Sequence, residues 1–252
     1  MEGIKVLRNT QIIILGICFA FATILSTVIF SKGLMKIKQF SSEVIKVTGS
    51  AEKNILSDYM VWKGSFSRRE LQMVDAFKKL KEDLQAVQGY LTSKGIKPEE
   101  LIVSPVTTTV LYKKNEKGND TNEIEGYRLS QEIEVRSNDV VKVTDISRAS
   151  TELIEKGIEF ISQSPEYFYT KLSELKLEML AQATEDAKKR ASRMASSTSN
   201  QIGIMRSARM GVFQITPANS FEVSDWGVND TTSLEKKVTA VVNVEFAISG
   251  GM

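Results

Sequence analysis

Ile12 to Phe30 reads IIILGICFAFATILSTVIF, nineteen residues without a charge. As a helix at about 1.5 Å per residue this run spans roughly 28 Å, close to the hydrocarbon thickness of a bilayer. A stretch of that length near a chain start is too long and too apolar for an ordinary core helix. It therefore splits the sequence into a membrane-directed segment and whatever follows. Lys5 and Arg8 precede the run, and Lys32, Lys36 and Lys38 follow it. Charge counting alone leaves its orientation open.

Three readings of the run compete. A cleaved signal peptide needs a small-x-small site after a short apolar region. Ala20-Phe21-Ala22 has that form but lies inside the run, so cleavage there leaves TILSTVIF exposed; Ser31-Lys32-Gly33 carries a lysine. A lipoprotein would use Leu15-Gly16-Ile17-Cys18, with an isoleucine too large for the position before the cysteine. An uncleaved anchor meets neither objection and is the reading we favour. It gives a cytoplasmic N-terminus at 1–11, a transmembrane helix at 12–31, a linker at 32–42 and a folded domain at 43–249, with the chain in the inner membrane and its C-terminal domain extracytoplasmic.

Two absences narrow the chemistry of that domain. The chain has no histidine, the usual general base near neutral pH and the commonest metal ligand. Its one cysteine, Cys18, lies in the apolar run, so an intramolecular disulfide and a Cys/His zinc site are both ruled out. With 33 basic and 31 acidic residues the net charge is +2, too balanced to favour nucleic acid as a partner.

Periodicity supplies the elements. Strands are expected at 44–49 and 59–67. Glu70 to Lys94 predicts a helix with Leu71, Val74, Phe77, Leu80, Leu84, Val87 and Leu91 on its inner face, ended by Gly95. Leu101 to Tyr112 is rich in β-branched residues but broken by Pro105, and Tyr127 to Val135 alternates. Asp139 to Lys156 predicts a second helix capped by Ser137 or Asn138 and closed by Gly157. Ile158 to Tyr169 then reads as a strand despite Pro165. Leu172 to about Ser197 is a long third helix with Leu172, Leu175, Met179, Ala183, Ala187 and Met194 inward. A strand at 202–215 follows, and Val238, Ala240, Val242, Val244, Phe246 and Ile248 share one face of the last. The order strand, long helix, strand, loop, strand occurs twice, at 59–135 and 158–248, which suggests two pseudo-repeated halves. Long antiparallel strands with helices packed on them make an α+β domain.

Several stretches together resemble the SIMPL domain family, long catalogued as a domain of unknown function. They are VTGSAEK (Val47 to Lys53), LTSKGIKPEELIVSPVTTTVLY (Leu91 to Tyr112), GYRLSQEIEVRSNDVVKV (Gly126 to Val143), LIEKGIEFISQS (Leu153 to Ser164) and the Ala-rich LEMLAQATEDAKKRASRMASSTSNQIGIM (Leu177 to Met205). No one motif is specific, but their order matches over nearly the whole soluble part. The resemblance implies an α+β fold, export from the cytoplasm, no defining enzymatic activity, and for some members ring- or channel-like homo-oligomers. The chain departs from many members in its N-terminal helix and in Ser50 and Ala51, where glycine and glutamate are common. Residues 213–230 (FQITPANSFEVSDWGVND) look like a subfamily feature.

No catalytic constellation stands out. The chain lacks a Walker loop, a Gly-x-Gly-x-x-Gly, a Gly-x-Ser-x-Gly and a metal cluster, so neither cofactor nor catalytic residue is assigned. Glu99-Glu100, Glu185-Asp186 and the basic run Lys188, Lys189, Arg190 and Arg193 read as solvated charge rather than sites. Trp226 is the exception: with Asp225 and Phe221 it sits among turn formers, as an interface anchor, as a ligand-stacking surface or folded back onto the core. The expectation is a non-enzymatic, self-assembling envelope module, membrane-bound through its N-terminal helix. A monomeric envelope sensor that binds a protein partner is the alternative, and a serine hydrolase a weaker one.

Overall fold

A computed structural model describes the backbone of residues 2–42 and 44–250 and the side chains of 14–35 and 44–248. The apolar run lies within α1 (Glu2–Ser42), so the stretch 32–42, expected as a linker, is helical. Ile14–Met35 is the one helical segment among the described residues long and apolar enough to cross a membrane, and none of it is buried against protein.

The domain continues through β1 (Val44–Leu56), β2 (Tyr59–Glu70), α2 (Met73–Ser93), β3 (Leu101–Val103), β4 (Thr107–Lys114) and β5 (Asp120–Ser137). It goes on through α3 (Val140–Ala149), α4 (Glu152–Glu155), β6 (Glu159–Ser162), β7 (Glu166–Phe168) and α5 (Leu172–Ser196), and ends with β8 (Asn200–Met210), β9 (Gln214–Pro217) and β10 (Glu235–Gly250). The expected break at Pro105 falls between β3 and β4, whereas the strand expected through Pro165 is split by that proline into β6 and β7. Gly95 and Gly157 end their helices with φ of 88° and 78°, where other residues are strained. The cap of α3 is Asp139, which accepts from the Lys142 N–H at 3.2 Å, and not Ser137 or Asn138. Ser137 lies one step further back and accepts from the Asp139 N–H. Glu100, expected as solvated charge, accepts instead from the Lys97 N–H at 2.9 Å and the Ser137 hydroxyl at 2.5 Å.

Among the described residues, the strand pairings given in register within the sheets are antiparallel. One sheet is ordered β3-β5-β2-β6, with β4 also on β5 and β7 also on β2; the other is ordered β1-β10-β8, with β9 also on β10. The element order of the two halves is as expected, but their pairing is not a plain tandem. β6 and β7, read as the opening strand of the second half, join the first sheet, and β1 takes the place beside β10.

The chain forms two compact units, one of Met1–Ser50, Ala183–Met210 and Val242–Met252, the other of Ala51–Gln182 and Gly211–Val241. In the second, Met60, Trp62 and Phe66 project from alternate positions of β2 into a core shared with Ile133 and Val135 of β5 and Leu80, Val87 and Leu91 of α2. Trp62 satisfies its buried N–H on Ser162 Oγ at 3.0 Å, and the Phe160 ring lies where a Cβ on Gly64 would stand. Asp83 is buried on the same helix and takes a two-pronged hydrogen bond from Arg68, which raises the guanidinium pKa. In the first unit, Ala183, Ala187, Ala191 and Ala195 are buried at four-residue steps along α5. Gly49 of β1 lies so close that a Cβ would stand 2.1 Å from the Ala183 carbonyl oxygen.

Two expected inner faces are buried along most of their length, Leu80, Val87 and Leu91 on α2 and Leu175, Met179, Ala183 and Ala187 on α5, but each departs at one end. On α2, Leu71 just before the helix, Val74 and Phe77 are 75, 64 and 50% exposed, while Ala76, Asp83 and Tyr90 are buried. On α5, Met194 is exposed and Leu172 half-buried; Ala191 and Ala195 continue the buried line.

Candidate interaction loop

The segment holding the three expected interface residues leaves β9 and returns to β10, so its two ends are fixed by one antiparallel ladder, Pro217 opposite Lys236 and Ile215 opposite Val238. A turn follows β9, closed by the Ser220 N–H on the Pro217 carbonyl at 2.9 Å. Further on, Trp226 N–H reaches Ser224 Oγ at 3.3 Å, and Gly227 N–H reaches the Ser224 carbonyl at 3.1 Å. Gly227 needs its φ of 86° there, and a Cβ would stand 2.8 Å from the Phe213 carbonyl oxygen.

One buried side chain organises the interior of this segment. Gln214 donates from Nε2 to the Ser224 carbonyl at 2.7 Å, and its Oε1 accepts from Val228 N–H at 2.8 Å and from Ser224 N–H at 3.4 Å. A side-chain amide offers donors and an acceptor at once, which is what a loop needs when its backbone cannot pair with itself. The chain then bridges back to β9, Ile215 N–H to the Val228 carbonyl and Asp230 N–H to the Ile215 carbonyl, at 2.8 and 2.9 Å.

A charged anchor closes the base. Lys236 is 2% exposed, and its ammonium donates to the carbonyls of Tyr167, at 2.9 Å, and Asp230. The Asp230 carboxylate lies 4.0 Å from that ammonium and accepts from the Thr232 N–H and hydroxyl at 2.8 and 2.7 Å. Burial pushes the Lys236 pKa below its ordinary value, against the pull of Asp230. Burial raises the Asp230 carboxyl, yet hydrogen bonds from Thr232 and Ser233 and the Lys236 charge bring it below its usual value. The pair borders a small cavity of about 110 Å³ among Tyr167, Phe168, Leu172 and Ile215.

From this fixed base the tip projects into solvent. Trp226 is 94% exposed, Phe221 91% and Val223 77%, and Asp225 is exposed beside them. Trp226 therefore does not fold onto the core. The Phe221 ring has the Lys237 ammonium 4.8 Å from its centroid. The structure places the three expected residues on one loop with their side chains exposed; it also supplies Gln214, Asp230 and Lys236, which the sequence reading did not single out. One signal pointed to Lys236: the alternation running from Val238 to Phe246, carried two residues back, puts this lysine on the buried face.

Elsewhere the notable surface features are polar or edge-like. On the first unit, Lys46 pairs with Glu245 at 2.7 Å and Thr48 donates to Asn243 at 2.7 Å beside an open depression of about 420 Å³. In its sheet β8 pairs with β10 and stands at the end of the order, and Ile204, Met205 and Met210 on it are 67, 52 and 59% exposed. The basic run of α5 is a solvated face, with Lys189 on Glu185 at 2.8 Å and Arg190 on Asp186 at 2.7 Å.

Comparison with the curated proteins finds none that matches. A family comparison does: residues 45–246 match SIMPL, described as a protein of unknown function (DUF541), from β1 to near the end of β10 and without the apolar helix. The match covers most of the chain, and the chain belongs to the SIMPL family.

Proposed function

We propose that this chain is a membrane-anchored, extracytoplasmic SIMPL module that performs no catalysis and works by assembling with copies of itself. The observation that carries the reading is β8, an eleven-residue strand at the end of its sheet whose exposed side chains include Ile204, Met205 and Met210. An open edge of that length with apolar flanks is a template for another strand, and soluble proteins ordinarily blunt such edges. In the polar depression Lys46 is paired with Glu245, and the reading places no chemistry there. The test is the mass of the detergent-extracted full-length chain, wild type and Ile204→Lys, over a range of concentrations. Discrete oligomers that dissociate in the variant support assembly at this edge. A monomer at every concentration sinks the reading. In that case the free aromatic tip favours the second reading, a monomeric envelope protein that recruits a different partner.

A further inference from the structure

The N-terminal part of the face that sequence periodicity assigns to the core of α2 is open, while Leu80, Val87 and Leu91 on it are buried. Leu71 and the helix residues Val74 and Phe77 follow one another at three-residue steps, 75, 64 and 50% exposed. The strip leads into a groove of about 260 Å³ floored by Leu80 and Val106 and walled by Phe77, Leu84 and Gln131. Lys81 stands at its rim, and neither Lys78 nor Lys81 has a carboxylate partner among the described salt bridges. The groove is thus apolar inside, with the Lys81 cation at its rim. The chain's own aromatic tip does not fill it, since Trp226 and Phe221 are almost wholly exposed.

The tip is the complement of that groove. It is convex, aromatic and held at its base by Gln214 and Lys236, so little order remains to be imposed on docking. Residues 218–235 carry four acidic side chains and no basic one. Of these, Glu222 and Asp225 flank the aromatics and have no cation partner among the described salt bridges. Both surfaces lie on the unit of Ala51–Gln182 and Gly211–Val241, so every copy presents both. We propose that the Phe221–Trp226 tip of one copy docks into the α2 groove of a second copy, Trp226 entering the groove and Asp225 facing Lys81. This inference rests on the self-assembly reading above and gives it a second contact. The contact is head-to-tail, the kind that builds rings or filaments when repeated. Confinement to one membrane raises the local concentration of partners. An anionic lipid surface is the poorer occupant because Glu222 and Asp225 are repelled by it.

The test uses the full-length chain in detergent, with mass photometry and light scattering over a concentration series. Trp226→Ala, Asp225→Lys and Lys81→Glu are compared with wild type and with the combined Asp225→Lys/Lys81→Glu chain. All three positions are exposed, and unfolding midpoints equal to wild type certify the fold. The docking predicts association about tenfold or more weaker in each single variant, as for an aromatic or charged hot spot. It also predicts recovery in the combined variant, and a blue shift of Trp226 emission as concentration rises. Oligomers unchanged by all three substitutions would overturn the docking while leaving assembly through β8 standing. A wild-type monomer throughout would overturn both. A Trp226 shift produced by lipid vesicles and not by protein concentration would assign the tip to the membrane and also overturn the docking.

Discussion

Lys236 is the residue on which the loop's position turns. A buried ammonium is costly unless its protons are satisfied, and here the carbonyls of Tyr167 and Asp230 receive two of them with the Asp230 carboxylate nearby. Burial still lowers its pKa in the folded state. A lowered folded-state value means the unfolded chain binds the proton more tightly, so stability rises with pH as the folded lysine releases its proton before the unfolded one does. The window runs from the folded-state value up to about 10.5, the ordinary lysine value. Lys236→Met removes the titration and leaves two buried carbonyls without a donor, at a cost of about 1–3 kcal/mol each near neutral pH. Denaturant unfolding should show Lys236→Met less stable at neutrality, with the wild-type advantage growing as pH rises through that window. Parallel pH profiles for the two proteins would show that this lysine is not the buried cation described.

At the scale of elements, α5 and α2 differ in how far their sequences announce their packing. The buried residues of α5 recur every four places, Leu175, Met179, Ala183, Ala187, Ala191 and Ala195, which is one of the ridges helices use for packing. A line of that spacing drifts round the helix relative to a 3.6 period, and this is why Met194, one residue from Ala195, points outward although it is the larger apolar group. Size misled the reading of Met194; the close approach at Gly49 demands alanine instead. Ala187→Leu should therefore cost about 1–3 kcal/mol or more by overpacking, whereas Met194→Ala should fall within about 0.5 kcal/mol of wild type. Denaturant unfolding of the full-length chain checks both, and equal effects would contradict the packing line. For α2 the difficulty was of another kind. Leu80, Val87 and Leu91 of the expected face meet the sheet, joined by Ala76. Leu71, Val74 and Phe77 precede them at three-residue steps, which drift about 60° per step round a 3.6-residue helix and carry these side chains off the buried face.

For the whole molecule, the strand and helix succession, the break at Pro105 and the glycine ends were legible because each follows from backbone chemistry local in sequence. Sheet membership was not: whether β10 pairs with β1 or with β6 depends on contacts nearly two hundred residues apart, and no local pattern encodes them. The aromatic tip was legible from Trp226 among turn formers, but its anchors were not, because Gln214 and Lys236 are polar residues whose burial only the fold decides. Orientation in the membrane is open to direct measurement. The positive residues on either side of the apolar run are nearly symmetric, so the case for an outside domain lies in the family and in the one apolar helix among the described residues. The chain offers a clean reporter, because Cys18 is its only thiol. In a Cys18→Ser background, Glu116→Cys places a thiol in an exposed turn before β5, and Asn9→Cys places one on the other side of the apolar run. An impermeant maleimide added to spheroplasts should label the cysteine at 116 at once and the one at 9 only after the membrane is opened. Recovery of the thiol at 9 in the membrane-bound chain would further show that the helix is retained and not cleaved. Labelling at 9 alone in sealed spheroplasts would put the domain in the cytoplasm, and loss of residue 9 from the mature chain would make the run a cleaved signal.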